Sequence, residues 1–262
     1  MISVIANALV AADAADLSPV RADLAAALAA HDSIEVRGKV VTLCDGKPLS
    51  ETMFVGRFKR PHRWLITWHD AGPGPFKPSG EAWGGDAVGS LRFTGASGIK
   101  TASAEMTIAA AAGISHSLTA WLHAMYRGDF DHVIPDKGDV VRDGDRLTIS
   151  ASSMPGSDRV IATSAGVITS IVQVSDTAKL KRPMVVMSDE EIRSAVEQSG
   201  ETATPAKLAE TRKVLQDAQE RMAASTSVFH VTYTFAWAFD QRFTDHDLVP
   251  DMTRQGDPKP AR

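Results

Sequence analysis

Bulky apolar residues occupy every second position between residues 229 and 239, within the stretch SVFHVTYTFAWAFD. The positions are Phe229, Val231, Tyr233, Phe235, Trp237 and Phe239, and smaller or more polar side chains separate them. Side chains two residues apart project from the same face of a strand, so this run predicts a strand of about a dozen residues with one aromatic-rich face. A typical strand has about half that length. Either the aromatic face packs on core helices, or a curved sheet lines a cavity with it, and the run alone fits both interpretations.

Several other stretches predict strands. The runs SIEVRGKVVTL and PLSETMFVGRF flank Asp45-Gly46, a dipeptide that strongly indicates a tight hairpin. Trp64, Ile66 and Trp68 alternate with other residues and predict a second strand with an aromatic face. Further strands are expected around residues 89–94, 98–102, 146–152, 159–163 and 166–174. The segment AGPGPFKPSGEAWGGD is dense in Pro and Gly and is expected to be a loop.

Helical patterns occur in three parts of the chain. Residues 18–31 predict a helix with Ser18 as N-cap and a proline at the first helical position. Residues 103–127 predict two short helices separated by Gly113. Residues 176–225 are highly charged and predict two more helices, the first opened by a capping box that begins at Ser188 and the second by Thr204-Pro205. We interpret residues 176–225 as a helical insertion or lid before the last strand.

Strands mixed with short helices predict an α+β fold. With 262 residues, of which 44% are apolar, the chain is expected to form a single domain over residues 1–262 that includes the insertion. A net charge of −4 argues against a general nucleic-acid-binding protein, which carries a basic surface. No apolar run reaches the roughly 18–20 residues of a transmembrane helix.

No motif for catalysis or metal binding stands out. Acidic and histidine residues cluster in two loops, at residues 129–136 and 245–247, where such side chains are usually solvated. The single cysteine, Cys44, is expected to be a partly buried free thiol. The sequence therefore predicts no metal, no cofactor and no enzymatic activity.

The order of the elements resembles that of a known superfamily. A first helix ends in Ala-Ala-His-Asp-Ser-Ile, two long hairpin strands follow, and Lys59-Arg60-Pro61 precedes the aromatic strand. A late long strand then leads into the stretch from Phe243 to Pro250. This order resembles the outer-membrane lipoprotein carrier superfamily, the LolA-like proteins, and the region from Gly113 to Asp129 resembles uncharacterised envelope proteins that share this fold.

The resemblance implies a strongly curved antiparallel sheet that wraps as an incomplete barrel around short helices, with an apolar concave face that holds acyl chains. It also implies that Arg60, before the proline, helps to hold lid helices over the cavity. Lys59 and Arg63 would stand near the opening, facing a lid carboxylate or the anionic head of a ligand, or form an ordinary basic corner. The expected ligand-binding residues are Phe58, Arg60, Trp64, Ile66, Trp68, Tyr233, Phe235 and Trp237.

Three functions are compatible with this sequence. The favoured one is a non-enzymatic carrier of a lipid or of a lipoprotein acyl chain. The second is a helix-grip or cystatin-like small-molecule enzyme, with Tyr233, His62 and His123 as first candidates for acid/base work. The third is an envelope protein that docks a partner protein on the insertion at residues 176–225. The expected location is the periplasm or cell envelope, with the cytoplasm as the alternative, because the apolar N-terminal run fits either a secretory segment or an amphipathic helix.

Overall fold

The computed structural model describes residues 15–250 except residues 62, 73–78, 94–98, 114, 116, 155, 180–187, 199–201 and 225. The described residues form an α+β fold with one open, twelve-stranded antiparallel sheet and a few short helices. The strands are β1 (Ala15–Asp16), β2 (Ser33–Cys44), β3 (Lys47–Lys59), β4 (Arg63–Asp70), β5 (Gly80–Gly84), β6 (Val88–Phe93), β7 (Lys100–Ser103), β8 (Lys137–Asp143), β9 (Arg146–Met154), β10 (Ser157–Ser164), β11 (Val167–Asp176) and β12 (Val228–Phe239). The helices are α1 (Ser18–Ala29), α2 (Ala104–Ala112), α3 (Leu118–Arg127), α4 (Asp189–Gln198), α5 (Pro205–Ala224) and a 3₁₀ turn at Asp245–Leu248.

Two meanders meet at the aromatic strand β12. The strand order is β1-β8-β9-β10-β11-β12-β2-β3-β4-β5-β6-β7, so β12 lies between β11 and β2 although it comes last in the chain. Tyr233 of β12 stands opposite Val40 on one side and Ile171 on the other. The longest apolar stripe of the sequence therefore lies in the middle of the sheet.

Local sequence signals account for several of these elements. The hairpin predicted at Asp45-Gly46 is confirmed, and both residues have positive φ values, 49° and 76°. The capping box is also confirmed, since the backbone N–H of Glu191 donates to Ser188 Oγ at 3.2 Å and Ser188 N–H donates to the Glu191 carboxylate at 2.7 Å. The Thr204 hydroxyl likewise accepts a hydrogen bond from the backbone N–H of Lys207 in the first turn of α5.

Two local predictions were wrong. Residues 80–84, which we expected in a loop, form β5. Its glycines lie where a side chain does not fit, because a Cβ at Gly80 would lie 2.6 Å from the Trp68 ring, and one at Gly84 would lie 2.4 Å from the Val88 carbonyl oxygen. Ser18 is the first residue of α1 rather than its N-cap, and its own N–H and hydroxyl donate to the Asp16 carboxylate.

Helices α1, α2 and α3 cover one face of the sheet, which we call the inner face. One of its cross-strand rows consists of Trp68, Phe54, Gly38 and Phe235. A Cβ at Gly38 would lie 1.8 Å from the carbonyl oxygen of Thr234, so only glycine fits there. The rings of Phe54 and Phe235 meet edge to face at 5.8 Å across that glycine, which closes the row.

The sheet curves around α3. Residues two apart in a helix point about 200° away from each other, so Trp121 and His123 lie on opposite sides of α3. Trp121 contacts Tyr233 of β12 and Arg159 of β10, whereas His123 contacts Trp64 of β4. Strands β4 and β10 are five steps apart in the sheet, about 24 Å if it were flat, while a helix is about 10–12 Å wide with its side chains. Contacts on opposite sides of one helix therefore require a curved sheet.

The helices α4 and α5 lie between β11 and β12 and pack against each other. Ile192 and Val196 of α4 are buried, yet neither belongs to the main hydrophobic core. At the base of this hairpin the backbone N–H and the hydroxyl of Thr177 both donate to the carbonyl of Ser227. Of the helices in the described part of the chain, none combines the length and the apolar character that crossing a bilayer requires.

Candidate functional site

The structure brings seven of the eight expected ligand-binding residues onto the inner face. Phe58, Trp64, Ile66, Trp68, Tyr233, Phe235 and Trp237 share this face by strand register. The exposed fraction is 1% for Trp68, 0% for Ile66 and 7% for Phe235. Trp237 is only half-buried, and its indole N–H donates to the carbonyl of Ile168 at 2.6 Å.

Side chains of α3 occupy the space above these residues. The Tyr126 ring stacks on Phe58 with centroids 4.7 Å apart, and the Trp121 ring lies 4.6 Å from that of Tyr233. His123 packs edge-on against Trp64 at 5.4 Å. A ligand therefore reaches the inner face only when the helices move away from it.

Arg60 is the eighth residue, and it holds two of these helices. At the end of β3 its Nε donates to the carbonyl of His31 at 3.1 Å, just after α1. Its Nη2 donates to the carbonyls of Leu28 in α1 and Tyr126 in α3, both at 3.3 Å. The last carbonyls of a helix have no partner within the helix and carry partial negative charge, so a guanidinium satisfies them well. We call these three hydrogen bonds the Arg60 latch.

Tyr126 strengthens the latch from the other side. The guanidinium of Arg60 lies 5.2 Å from the centre of the Tyr126 ring, within the range of a cation–π contact. The Tyr126 hydroxyl donates to the carbonyls of Lys59 and Pro61, at 3.0 and 3.3 Å. Burial raises the pKa of Tyr126, so the hydroxyl stays protonated and remains a donor. The corner between β3 and β4 and the end of α3 are thus joined in both directions.

The other two cations of this corner have different partners. Lys59 Nζ donates to the carbonyl of Phe243 at 3.0 Å and lies 3.9 Å from the Asp245 carboxylate. Arg63 lies 3.8 Å from the same carboxylate. Both residues therefore stabilise the segment that follows β12, and within the described residues neither pairs with a helix of the inner face.

The structure separates the candidates for acid/base chemistry. His123 lies on one side of α3, whereas Tyr233 packs against Trp121 on the other side, and His62 lies outside the described residues. Burial, aided by nearby Arg127, lowers the pKa of His123 to about 4, and burial raises the pKa of the Tyr233 hydroxyl. His123 is thus neutral at pH 7, and the Tyr233 hydroxyl stays protonated.

A surface cleft of about 590 Å³ lies away from the inner face. Its lining includes Trp83, Val88 and Ser90 from β5 and β6, Arg63 from β4, and Val249 from the segment after β12. Trp83 is the neighbour of Ala82, which faces inward, so the Trp83 side chain lies on the opposite face of β5. This cleft is the competing place for a small apolar ligand.

Among the inner-face residues that sequence reasoning missed is a charged one, Arg159 of β10. Its Nη1 donates to the carbonyls of His132 and Val133, at 3.0 and 3.1 Å, and its guanidinium lies 5.2 Å from the centre of the Trp121 ring. Burial lowers the pKa of Arg159 below its usual value. The available signal was its spacing of two from Ile161, but exposed Val160 between them blurs the alternation.

Comparisons with known proteins add little. No protein-family model matches the chain, and no curated protein sequence does. Twenty-two chains of solved structures match, among them a DUF1329 family protein from Desulfovibrio piger ATCC 29098. That chain is 9% identical, the match covers 90% of this chain and 98% of that one, and the TM-score is 0.35. Agreement at this level transfers no property from that protein to this one.

Proposed function

We propose that this protein is a non-enzymatic binding or carrier protein that holds an acyl chain or another lipid-like ligand against the inner face. The sheet then acts as an incomplete barrel, and the helices α1, α2 and α3 act as its cover. The wall consists of the residues that the sequence singled out, with Phe58, Trp68 and Phe235 at its centre. This assignment gives the long stripe of β12 a role beyond core packing.

The observation that carries the proposal is the Arg60 latch. Core helices normally stay in place through apolar packing, but here one side chain from the sheet also binds the ends of both α1 and α3. A hydrogen bond to a charged group contributes about 1.5–3 kcal/mol, so three of them contribute roughly 5–9 kcal/mol at most. Ten buried methylenes contribute about 8 kcal/mol. Because hydrogen bonds are not additive, the latch contributes less than the sum of its three bonds. A bound acyl chain of that length therefore offsets the loss of the latch, which favours reversible opening.

Native mass spectrometry of the full-length protein tests this proposal. The protein is delipidated, incubated with a total lipid extract, separated from free lipid and then measured. We expect a bound species of defined mass that disappears when the sample is denatured. Protein that stays empty with every lipid class contradicts the proposal.

A periplasmic or envelope location forms part of the same proposal and rests on the resemblance to the lipoprotein carriers. Fractionation of cells that produce the untagged chain tests it. Recovery with periplasmic or envelope markers supports the assignment, and recovery with cytoplasmic markers alone contradicts it.

A protein partner at the insertion is the second candidate. In its favour, α4 and α5 pack on each other and leave Val214 57% exposed. Because Thr177 and Ser227 already pair at the base, residues 178–226 are replaceable by Asn-Gly, which suits a tight turn. We expect this variant to keep its fold and its ligand while losing a partner that the full-length protein retains. A variant that retains every partner contradicts the docking role.

A further inference from the structure

Arg159 places a positive charge on the largely apolar inner face. By strand register it stands beside Gln173 of β11 and Ala151 of β9, and its inner-face neighbour within β10 is Ile161, which is fully buried. Along the strand direction, Arg159 lies level with the start of β12 and with the end of β2 near Cys44. The Arg60 latch lies near Ser33, where β2 begins, and is therefore at the opposite end of the sheet. The inner face thus has an apolar middle and a cationic group near one end.

This guanidinium lacks a counter-ion in the described part of the chain. Its Nη1 bonds two backbone carbonyls, which are neutral, and no carboxylate among the described residues pairs with it. Its Nε is buried and bonds no described residue. Buried charges in proteins are normally paired, because an unpaired one carries a large desolvation cost.

The surroundings of Arg159 suit an oxyanion. Trp121 lies against one side of the guanidinium and orients it, while the carbonyls of His132 and Val133 fix Nη1. A carboxylate or phosphate takes two parallel hydrogen bonds from a guanidinium, which a neutral head does not match in strength. Gln173, directly across from Arg159, adds a neutral amide at the same level of the sheet.

We infer that Arg159 binds the anionic headgroup of the ligand, so that the ligand is an acyl amphiphile with a carboxylate or phosphate head. This inference rests on the proposed function and adds the ligand's class and direction to it. The head lies at Arg159 of β10, and the acyl chain runs along the inner face toward Tyr233 and Phe235. The Arg60 latch then faces the end of the chain remote from the head.

Titration of the full-length protein with decanoate and with 1-decanol, followed by calorimetry, tests the inference. We expect the wild type to bind decanoate at least about tenfold more tightly than 1-decanol, a difference of about 1.4 kcal/mol. Arg159→Gln should remove most of that preference and change 1-decanol binding less than about twofold. Arg142→Gln, which removes the same charge from an exposed position on β8, should leave both affinities unchanged.

Each contrary result has its own meaning. If the wild type binds neither compound, the proposed function fails and this inference fails with it. If it binds both equally well, or if Arg159→Gln weakens both equally, the inference alone is overturned, since Arg159 then only anchors residues 132–133. If acetate or inorganic phosphate binds as tightly as decanoate and with the same dependence on Arg159, the site binds small free anions. The inference that the ligand is an acyl amphiphile is then overturned.

A second variant covers the case in which Arg159→Gln does not fold. Arg159→Lys keeps the charge but loses the planar fork of the guanidinium. Its preference for decanoate over 1-decanol should lie between those of the wild type and a variant without the charge. A purely structural role predicts instead that the ratio of the two affinities stays at the wild-type value while the melting temperature falls.

Discussion

The guanidinium of Arg60 donates a hydrogen bond to the carbonyl of Tyr126 at 3.3 Å, and the Tyr126 hydroxyl in turn donates to the carbonyl of Lys59 beside Arg60. The sheet corner and α3 are thus bonded reciprocally. Because each partner satisfies a backbone group of the other element, removal of either side chain loosens the helix from the sheet. Substitution of either residue therefore tests directly whether the helices cover the inner face.

Arg60→Ala should lower stability and raise affinity for an acyl ligand. The substitution removes the latch at a cost of about 2–4 kcal/mol, given that hydrogen bonds are not additive. If the ligand binds only the open state, in which the helices have moved away from the inner face, loss of the latch lowers the free energy of opening. The apparent affinity then rises. Thermal unfolding and decanoate titration measure the two effects. Arg63→Ala, an equal loss of charge at an exposed neighbour, should lower stability by less than about 1 kcal/mol and leave the affinity unchanged. An Arg60→Ala variant with unaltered affinity contradicts the proposed role of the latch.

Trp237→Ala should weaken acyl-chain binding about tenfold through lost apolar contact, while Trp83→Ala should leave it unchanged. Trp237 is half-buried on the inner face, whereas Trp83 lines the cleft on the other face. Equilibrium binding of decanoate to both variants checks this expectation. If Trp83→Ala weakens binding and Trp237→Ala does not, the ligand binds in the surface cleft that Trp83 lines.

Stability should fall as the pH drops, because partial burial of His123 disfavours its charged form. Its pKa is about 4 in the folded protein, against 6.5 for a histidine exposed to solvent, so the unfolded chain binds the proton more readily. The stabilisation that comes from keeping His123 neutral is fully present above about pH 7.5. It is lost between pH 6.5 and 4, and the loss is about 3 kcal/mol at most. Urea unfolding at pH 7.5 and pH 4.5 measures the loss.

His123→Phe is the matched control for that measurement. Carboxylates such as Glu35, whose pKa is lowered by bonds from Arg37 and Arg57 although burial opposes the shift, also weaken the fold in acid. They do so in both proteins, so the difference between the two proteins reports His123 alone. Equal acid sensitivity in wild type and His123→Phe contradicts the account of its burial.

Gly38→Ala should destabilise the protein by at least about 2 kcal/mol, since its Cβ would collide with the carbonyl oxygen of Thr234. Gly113→Ala is the control, because the nearest described atom to a Cβ there, the Ala110 carbonyl oxygen, is 3.7 Å away and the glycine has a φ of −59°. We expect that variant to stay within about 1 kcal/mol of the wild type. Chemical denaturation compares the two, and similar stabilities would contradict the tight contact between β2 and β12.

Periodicity predicted which residues of β12 share a face, but not what covers that face. Alternation in a strand identifies two faces and leaves open whether a helix, another sheet or a ligand lies on one of them. The partners of β12 were equally hidden, because Phe239 pairs with Ile34 from the other end of the chain. Non-local pairing of this kind depends on the whole fold rather than on local sequence.

The candidate site was likewise only partly predictable from the sequence. Arg60 was found through the resemblance of Lys59-Arg60-Pro61 to a family element, and its partners in α1 and α3 came only with the structure. Arg159 was missed because β10 carries exposed Val160 beside it, so neither face of that strand is uniformly apolar. Gly80 of β5 suggested a loop because sequence rules assign glycine to turns. In the structure, glycine is needed there because the Trp68 ring packs too closely for a side chain.

Quenching of tryptophan fluorescence by a brominated acyl chain tests the central claim most directly. The chain has five tryptophans, of which Trp64, Trp68, Trp121 and Trp237 lie on or against the inner face, and Trp83 lies outside it. Bromine quenches only at contact, so dibromostearate should quench Trp83→Phe as strongly as the wild type. If quenching disappears in Trp83→Phe, or never occurs in the wild type, no acyl chain lies against the inner face.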